Sequence, residues 1–198
     1  MSEFRLKIGL DLPINGIPQQ TIHEGATPKS VAVVGSDHNG LKPRMLVAEG
    51  DEVVRGTPLF SHKEAPNIMF VSPCKGRVRG VMRGARRVLQ SVIIDVDDID
   101  DKGVNFGAIG SDGFQRDKVK KILFDSGLWT SFLTRPYSKM PLEEDAPSAI
   151  FITAMETEPL APDASVIVSR EQEAFNIGVG SIATLTDGKV YICKALNG

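Results

Sequence analysis

Glu156 and Glu158 follow directly on the apolar run Ala149-Ile150-Phe151-Ile152-Thr153-Ala154. The end of a buried strand is where α/β sheets bind ligands, and paired carboxylates can do acid–base work. A second cluster is basic: Arg77, Arg79, Arg83, Arg86 and Arg87. It suits an anionic partner surface or lipid headgroups. Strand alternation accounts for it slightly better, with Val78, Val81 and Val88 inward and the arginines solvated. The third group, Trp129, Phe132, Arg135, Tyr137 and Lys139, joins aromatic rings to cations in an irregular stretch. Such residues could wall a pocket with an apolar body and a few polar anchors. As a buried connection they would instead pack one unit of the chain against the next, the favoured reading.

Other chemistries lack their residues. Cys74 and Cys193 match no metal spacing and read as partly buried free thiols. An iron–sulfur centre needs a cysteine cluster. His23, His38 and His62 are scattered, without ligand spacing, and read as surface residues. Asp95, Asp97, Asp98, Asp100 and Asp101 form the densest charge run, but not with EF-hand spacing. They read as a solvated acidic loop, so no metal site is expected. A formal charge of −2 gives no reason to expect nucleic acid, nor do the arginines, which lack stacking aromatics. No run approaches the ~20 apolar residues that span a bilayer, and no apolar signal core opens the chain.

These groups need elements to position them. Between Leu46 and Ile94 lie two halves, each an alternating apolar run broken by a glycine turn, the mark of short antiparallel strands. The first is Leu46 to Val53, then Gly56 and Leu59-Phe60; the second is Ile68 to Val78, closing on Val88 to Ile94. The pattern resembles biotin- and lipoyl-carrying barrels, whose linking hairpin presents a lysine between two methionines. Here that place reads Ser61-His62-Lys63-Glu64-Ala65-Pro66-Asn67. The barrel is expected, and the swinging arm is not.

Around the barrel, 9–16 reads as an extended edge segment and Val31 to Val34 as a strand. Val119, Ile122 and Leu123 share one helical face against Lys118, Lys120 and Lys121. Gly127 stands where a helix end wants a left-handed residue. Trp129 to Pro147 is irregular, with Pro136, Pro141 and Pro147. Ala149 to Ala154 reads as a strand buried on both faces. Ser169-Arg170-Glu171-Gln172 reads as a capping box opening a helix through Phe175, Val179 and Ile182. Gly178 and Gly180 lie inside that helix, so they form no nucleotide fingerprint. Lys189 to Cys193 is the next strand. The expected fold class is α+β: a lipoyl/biotinyl-like barrel-sandwich domain (1–100), a helix and irregular linker (101–148), and the first β-α-β unit of a Rossmann-like α/β domain (149–198). One such unit cannot cover both faces of its sheet, so the chain is expected to be the front of a longer protein.

Several segments, in order, carry a resemblance. They are Gly9 to Ile14 with Gly16, Arg83 to Val92, Asp125 to Thr130, Thr134 to Lys139, Phe151 to Leu160, and Gly188 to Lys194. Together they resemble the A subunit of the bacterial sodium-translocating NADH:quinone oxidoreductase. More distantly the chain is similar to the C subunit of the Rnf complex and the flavin-binding subunit of complex I. In those relatives a glycine-rich loop precedes the strand ending in Glu-x-Glu-Pro, where FMN and NADH bind. Here Glu156-Thr157-Glu158-Pro159 remains as a vestige of that site, while the loop reads Ser126 to Pro136, with Leu128, Trp129, Phe132 and Leu133 in place of a phosphate cradle.

The resemblance implies a cytoplasmic, cofactor-free subunit, peripheral to the inner membrane. Its complex would oxidise NADH, reduce ubiquinone and export sodium, with FMN, riboflavin and an iron–sulfur centre on other subunits. The chain would meet the membrane only through membrane-embedded partners, docking by its arginines. Trp129, Phe132, Arg135, Tyr137 and Lys139 would be candidates for quinone contact. No residue is nominated as catalytic. Two rivals are a flavin-binding electron carrier of the Rnf or complex I type, and a lipoyl or biotin carrier with Lys63 as acceptor.

Overall fold

The computed structural model describes Leu12, residues 14–107 and residues 113–195. Most of the expected edge segment 9–16 therefore lies outside the described residues. Seven strands build the first unit: β1 (Ser30–Val34), β2 (Pro43–Met45), β3 (Glu52–Val53), β4 (Pro58–His62), β5 (Ala65–Val71), β6 (Lys75–Arg83) and β7 (Leu89–Asp98). They form two antiparallel sheets, ordered β1-β7-β6-β3 and β2-β4-β5.

Period-two alternation decides what lies between the sheets. Leu59, Phe60, Ile68, Phe70, Val78, Val92 and Ile94 are buried there, and Phe60 stacks on Phe70 at 4.5 Å. Gly50 (φ 92°) and Gly56 (φ 89°) turn the chain where a side chain would be strained. Gly76 has a different reason: a Cβ there would lie 1.9 Å from the Asp95 carbonyl oxygen across the β6–β7 ladder.

Three expectations for this unit need correction. Val88 is 63% exposed, because β6 ends at Arg83 and a turn through residues 84–88 carries it off the inward register. The acidic run is not wholly a loop: β7 continues to Asp98, and its Asp95 faces Arg77 on β6. Leu46 to Asp51 forms no strand, although the Leu46 amide still bonds the Leu59 carbonyl.

The second unit comprises α1 (Arg116–Asp125), β8 (Ala149–Thr153), α2 (Ala164–Arg170), α3 (Gln172–Ala183) and β9 (Lys189–Cys193). Strands β8 and β9 pair in parallel, Ala149 opposite Lys189 and Thr153 opposite Cys193, which is the expected β-α-β connectivity. Gly127 is left-handed (φ 75°) after α1, as expected. β8 is not buried on both faces: Phe151 is 62% exposed and stacks on Tyr191 of β9 at 4.9 Å. The expected helix through Phe175, Val179 and Ile182 is α3, and a separate short helix, α2, stands where its capping box was expected. Asp163 caps α2 by accepting the Ser165 amide at 2.9 Å, and hydrogen bonding from the Ser165 side chain, then from that amide, holds the Asp163 carboxyl below its usual range. Ser169 thus lies inside α2, and Glu171 (φ −114°, ψ 35°) breaks the helix before α3.

Candidate functional site

The structure divides the five arginines into two groups. Arg77 and Arg79 project outward on either side of buried Val78. Arg77 pairs with Glu52 at 2.7 Å, and Arg79 pairs with Asp95, whose carboxylate raises the guanidinium pKa. Arg83, Arg86 and Arg87 sit at the far end of the β6–β7 hairpin, all exposed. Arg86 (φ 53°) and Arg87 (φ 60°) are both left-handed, which residues with a Cβ rarely are. The turn is closed from within. The Gly84 amide donates to the Val88 carbonyl (2.8 Å), the Arg87 amide to that of Gly84 (3.1 Å), and Arg83 Nη1 to that of Arg87 (3.1 Å).

The aromatic loop does not converge on one cavity. Trp129 is buried, stacked on Phe124 of α1 at 4.2 Å and tilted against Phe132 at 5.3 Å. Its indole Nε1–H donates to the Pro141 carbonyl at 2.8 Å, and Lys120 Nζ lies 5.9 Å from the ring centroid. Gly127 sits against the barrel, where an added Cβ would be 3.0 Å from Val71 and 3.1 Å from the Met69 carbonyl oxygen. The start of the loop therefore packs α1 onto strand β5. Arg135, Tyr137 and Lys139 lie beyond it on the surface, where Thr134 and Lys139 form a one-bridge hairpin. The Tyr137 carbonyl accepts the Asn39 side-chain amide at 3.0 Å, a second tie to the barrel. An open groove of about 520 Å³ lies elsewhere, at the α2–α3 break, lined by Arg170, Glu173 and Ile177.

Glu156 and Glu158 lie exposed just past β8. Glu156 Oε1 accepts the amides of Thr157 (2.7 Å) and Glu158 (3.0 Å), so that carboxylate folds back on its own turn. Cys74 is fully buried, which pushes its thiol pKa up and keeps it protonated; Cys193 is half-buried. The two thiols were expected to be alike, and they are not. His38 is not a plain surface residue either. It meets Phe70 edge-on at 4.7 Å, and burial lowers its pKa against the opposing pull of Asp37. Lys63 occupies the exposed tip of the β4–β5 turn, beside a Lys42–Glu64 ion pair of 2.5 Å that holds the Glu64 carboxyl low. Among the described residues, no three His, Cys, Asp or Glu side chains group so as to hold a metal, and no helix is long and apolar enough to cross a membrane.

Sequence reasoning missed two features. One is the pair of left-handed arginines, for which only Gly84 beside a non-periodic Ala85-Arg86-Arg87 could have given a hint. The other is the Pro141 carbonyl that fixes the indole, a tertiary contact with no local signal.

Comparison with known proteins matches both units in order. Residues 4–97 match the NqrA N-terminal barrel-sandwich hybrid domain, and residues 114–198 match the NqrA second alpha/beta domain. The chain is 45% identical over 194 residues to the A subunit of the Na(+)-translocating NADH-quinone reductase of Yersinia pseudotuberculosis. It is 44% identical over 194 residues to that of Photorhabdus laumondii and 46% over 191 residues to that of Vibrio alginolyticus. Each alignment covers 96% of this chain and 43% of the relative's length.

Proposed function

Since this chain belongs to the NqrA family, we propose that it acts as the leading part of the A subunit in a Na(+)-translocating NADH-quinone reductase. The observation that carries the reading is the pairing of two family domains, in order, with about 45% identity along nearly the whole chain. In this role the chain sits on the cytoplasmic side of the inner membrane, docked to membrane-embedded subunits, and contributes no catalytic residue. The complex it serves oxidises NADH, reduces ubiquinone and exports sodium.

The cofactors of that chemistry, FMN, riboflavin and an iron–sulfur centre, are assigned to other subunits. What supports this assignment is the chemistry of the residues present. Gly127 turns its open side to the barrel, so its backbone offers no cradle to a phosphate. Leu128 and Leu133, exposed at 56% and 61%, surround the same loop with apolar bulk. Cys74, buried in the barrel core, and Cys193 are the two cysteines of the sequence, short of the four thiolates that hold an iron–sulfur cluster. The loop itself is assigned a packing role, because Trp129 and Phe132 pack inward while Arg135, Tyr137 and Lys139 face out.

Reconstitution tests this reading. The chain is added to inner-membrane vesicles from a bacterium that carries the complex but lacks its NqrA. Recovery of the chain with the other subunits after detergent extraction is expected; a chain left in the supernatant would sink the proposal. A yellow chain after purification would overturn the flavin-free assignment. Titration with a soluble ubiquinone analogue tests the loop, because Trp129 is the chain's single tryptophan. Saturable quenching that disappears in Arg135→Ala would add quinone contact to its role; unchanged fluorescence leaves it as packing.

A further inference from the structure

We propose that the tip of the β6–β7 hairpin, formed by Met82, Arg83, Arg86, Arg87 and Val88, is a docking site for an acidic protein surface. The inference rests on the docking role above and narrows it to one end of one hairpin.

Charge is the first observation. Arg77 and Arg79 have their carboxylates within the fold, in Glu52 and Asp95. Among the described residues, no carboxylate lies within ion-pair distance of Arg83, Arg86 or Arg87. The hairpin's acids, Asp97 and Asp98 with Asp100 and Asp101 just beyond, lie at its other end, where Lys75 stands opposite Asp98. Eight steps of β6 separate the two ends by about 25 Å, against a Debye length of ~8 Å, so the tip's positive charge is not cancelled by them.

Shape and apolar surface come next. Val88 is 63% exposed and Met82 41%, beside the three guanidiniums. Guanidinium around a small apolar spot is the composition of a protein interface, in which arginine and methionine are enriched. The turn is also pre-set. Its backbone hydrogen bonds and the Arg83–Arg87 contact hold two consecutive arginines left-handed, although none of residues 85–88 is buried. Packing within the chain does not offset that strain, whereas a pre-ordered presentation reduces the ordering cost when a partner binds.

The same features favour protein over lipid as the occupant. Interfacial anchoring draws on tryptophan, tyrosine, phenylalanine or leucine, and residues 82–88 contain none of these. The net charge of the chain is −2, which opposes approach to an anionic bilayer. Three planar forks in a fixed turn fit carboxylates two-pronged.

The test uses the whole chain with inner-membrane vesicles from a Vibrio alginolyticus strain deleted for its own NqrA, alongside protein-free vesicles of the lipids extracted from them. Wild type should bind the first and not the second. Arg83→Gln, Arg86→Gln and Arg87→Gln combined should weaken binding about tenfold and flatten its salt dependence, while Arg77→Gln with Arg79→Gln changes it less than about threefold. As a second readout, a photo-reactive phenylalanine at Val88 should cross-link to a sister subunit. Equal binding to protein-free lipid, or adducts with lipid alone, overturns the inference in favour of a membrane surface. Full binding by the triple variant overturns it while leaving the docking role intact. No binding by wild type overturns both.

Discussion

The barrel and the α/β unit of this chain are held together to very different degrees. In the barrel Leu59, Phe60, Ile68, Val78, Val92 and Ile94 are each below 2% exposed. Among the described residues of the β8–β9 unit only Leu185 and Thr186 are buried, and neither α2 nor α3 contains a buried residue. Phe151, Ile167, Ile177, Tyr191 and Ile192 are between 42% and 62% exposed. Apolar area withheld from water is the main stabilising term, so the barrel carries most of the stability. The β-α-β unit is the part that opens first. Correct local structure and adequate burial are thus separable: β8 and β9 pair in register without a covered sheet.

That comparison can be broken by mutation, and the largest effect belongs to the barrel. Phe60→Ala should cost about 3–5 kcal/mol, removing a fully buried ring from its stack on Phe70. Urea unfolding followed by far-UV circular dichroism measures it, and a loss under about 1 kcal/mol would mean the barrel is not the stable unit.

Trp129→Leu comes second, at about 2–3 kcal/mol, because it leaves the Pro141 carbonyl unpaired and opens space beside Phe124. If the ring were mainly a ligand wall, the substitution would leave stability nearly unchanged. Thr186→Val probes the α/β unit at its most buried polar point. The hydroxyl donates to the Pro147 carbonyl (2.5 Å) and accepts the Gly188 amide (3.0 Å), so its loss should cost about 1–2 kcal/mol. Hydrogen exchange should then speed up in β8 and β9 and stay unchanged in β6 and β7.

Phe151→Ala should cost no more than about 1 kcal/mol, since only an exposed cross-strand stack is lost. A cost equal to that of Phe60→Ala would erase the contrast between the regions. The smallest effect is acid sensitivity at the barrel edge. His38 is held below its ordinary 6.5 by burial, so the fold favours neutral imidazole. Its contribution is complete above 6.5 and declines as pH falls through the folded-state value. Barrel stability should therefore decrease modestly from about pH 8 to about pH 5, less steeply in His38→Gln. An unchanged slope in that variant would assign the titration elsewhere.

Where side-chain alternation is strict, the residues announce the structure. Val78 lies inward between Arg77 and Arg79, and Gly127 is left-handed where the helix ends. Wherever the outcome depends on a partner far along the chain, local pattern misleads. Val88 leaves the register because a turn intervenes, Ser169 falls inside α2 instead of capping the helix through Phe175, and Cys74 and Cys193 differ because only one reaches the core.

The sequence by itself determined the strand and helix types, the barrel followed by a β-α-β unit, and the family, because period, turn chemistry and ordered motifs are local properties. Tertiary structure alone decided which arginines are neutralised, that Trp129 is clamped by Pro141, and that the β8–β9 sheet keeps one face in water. Burial and charge pairing depend on what lies across a sheet or against a helix, and no window of neighbouring residues contains that information.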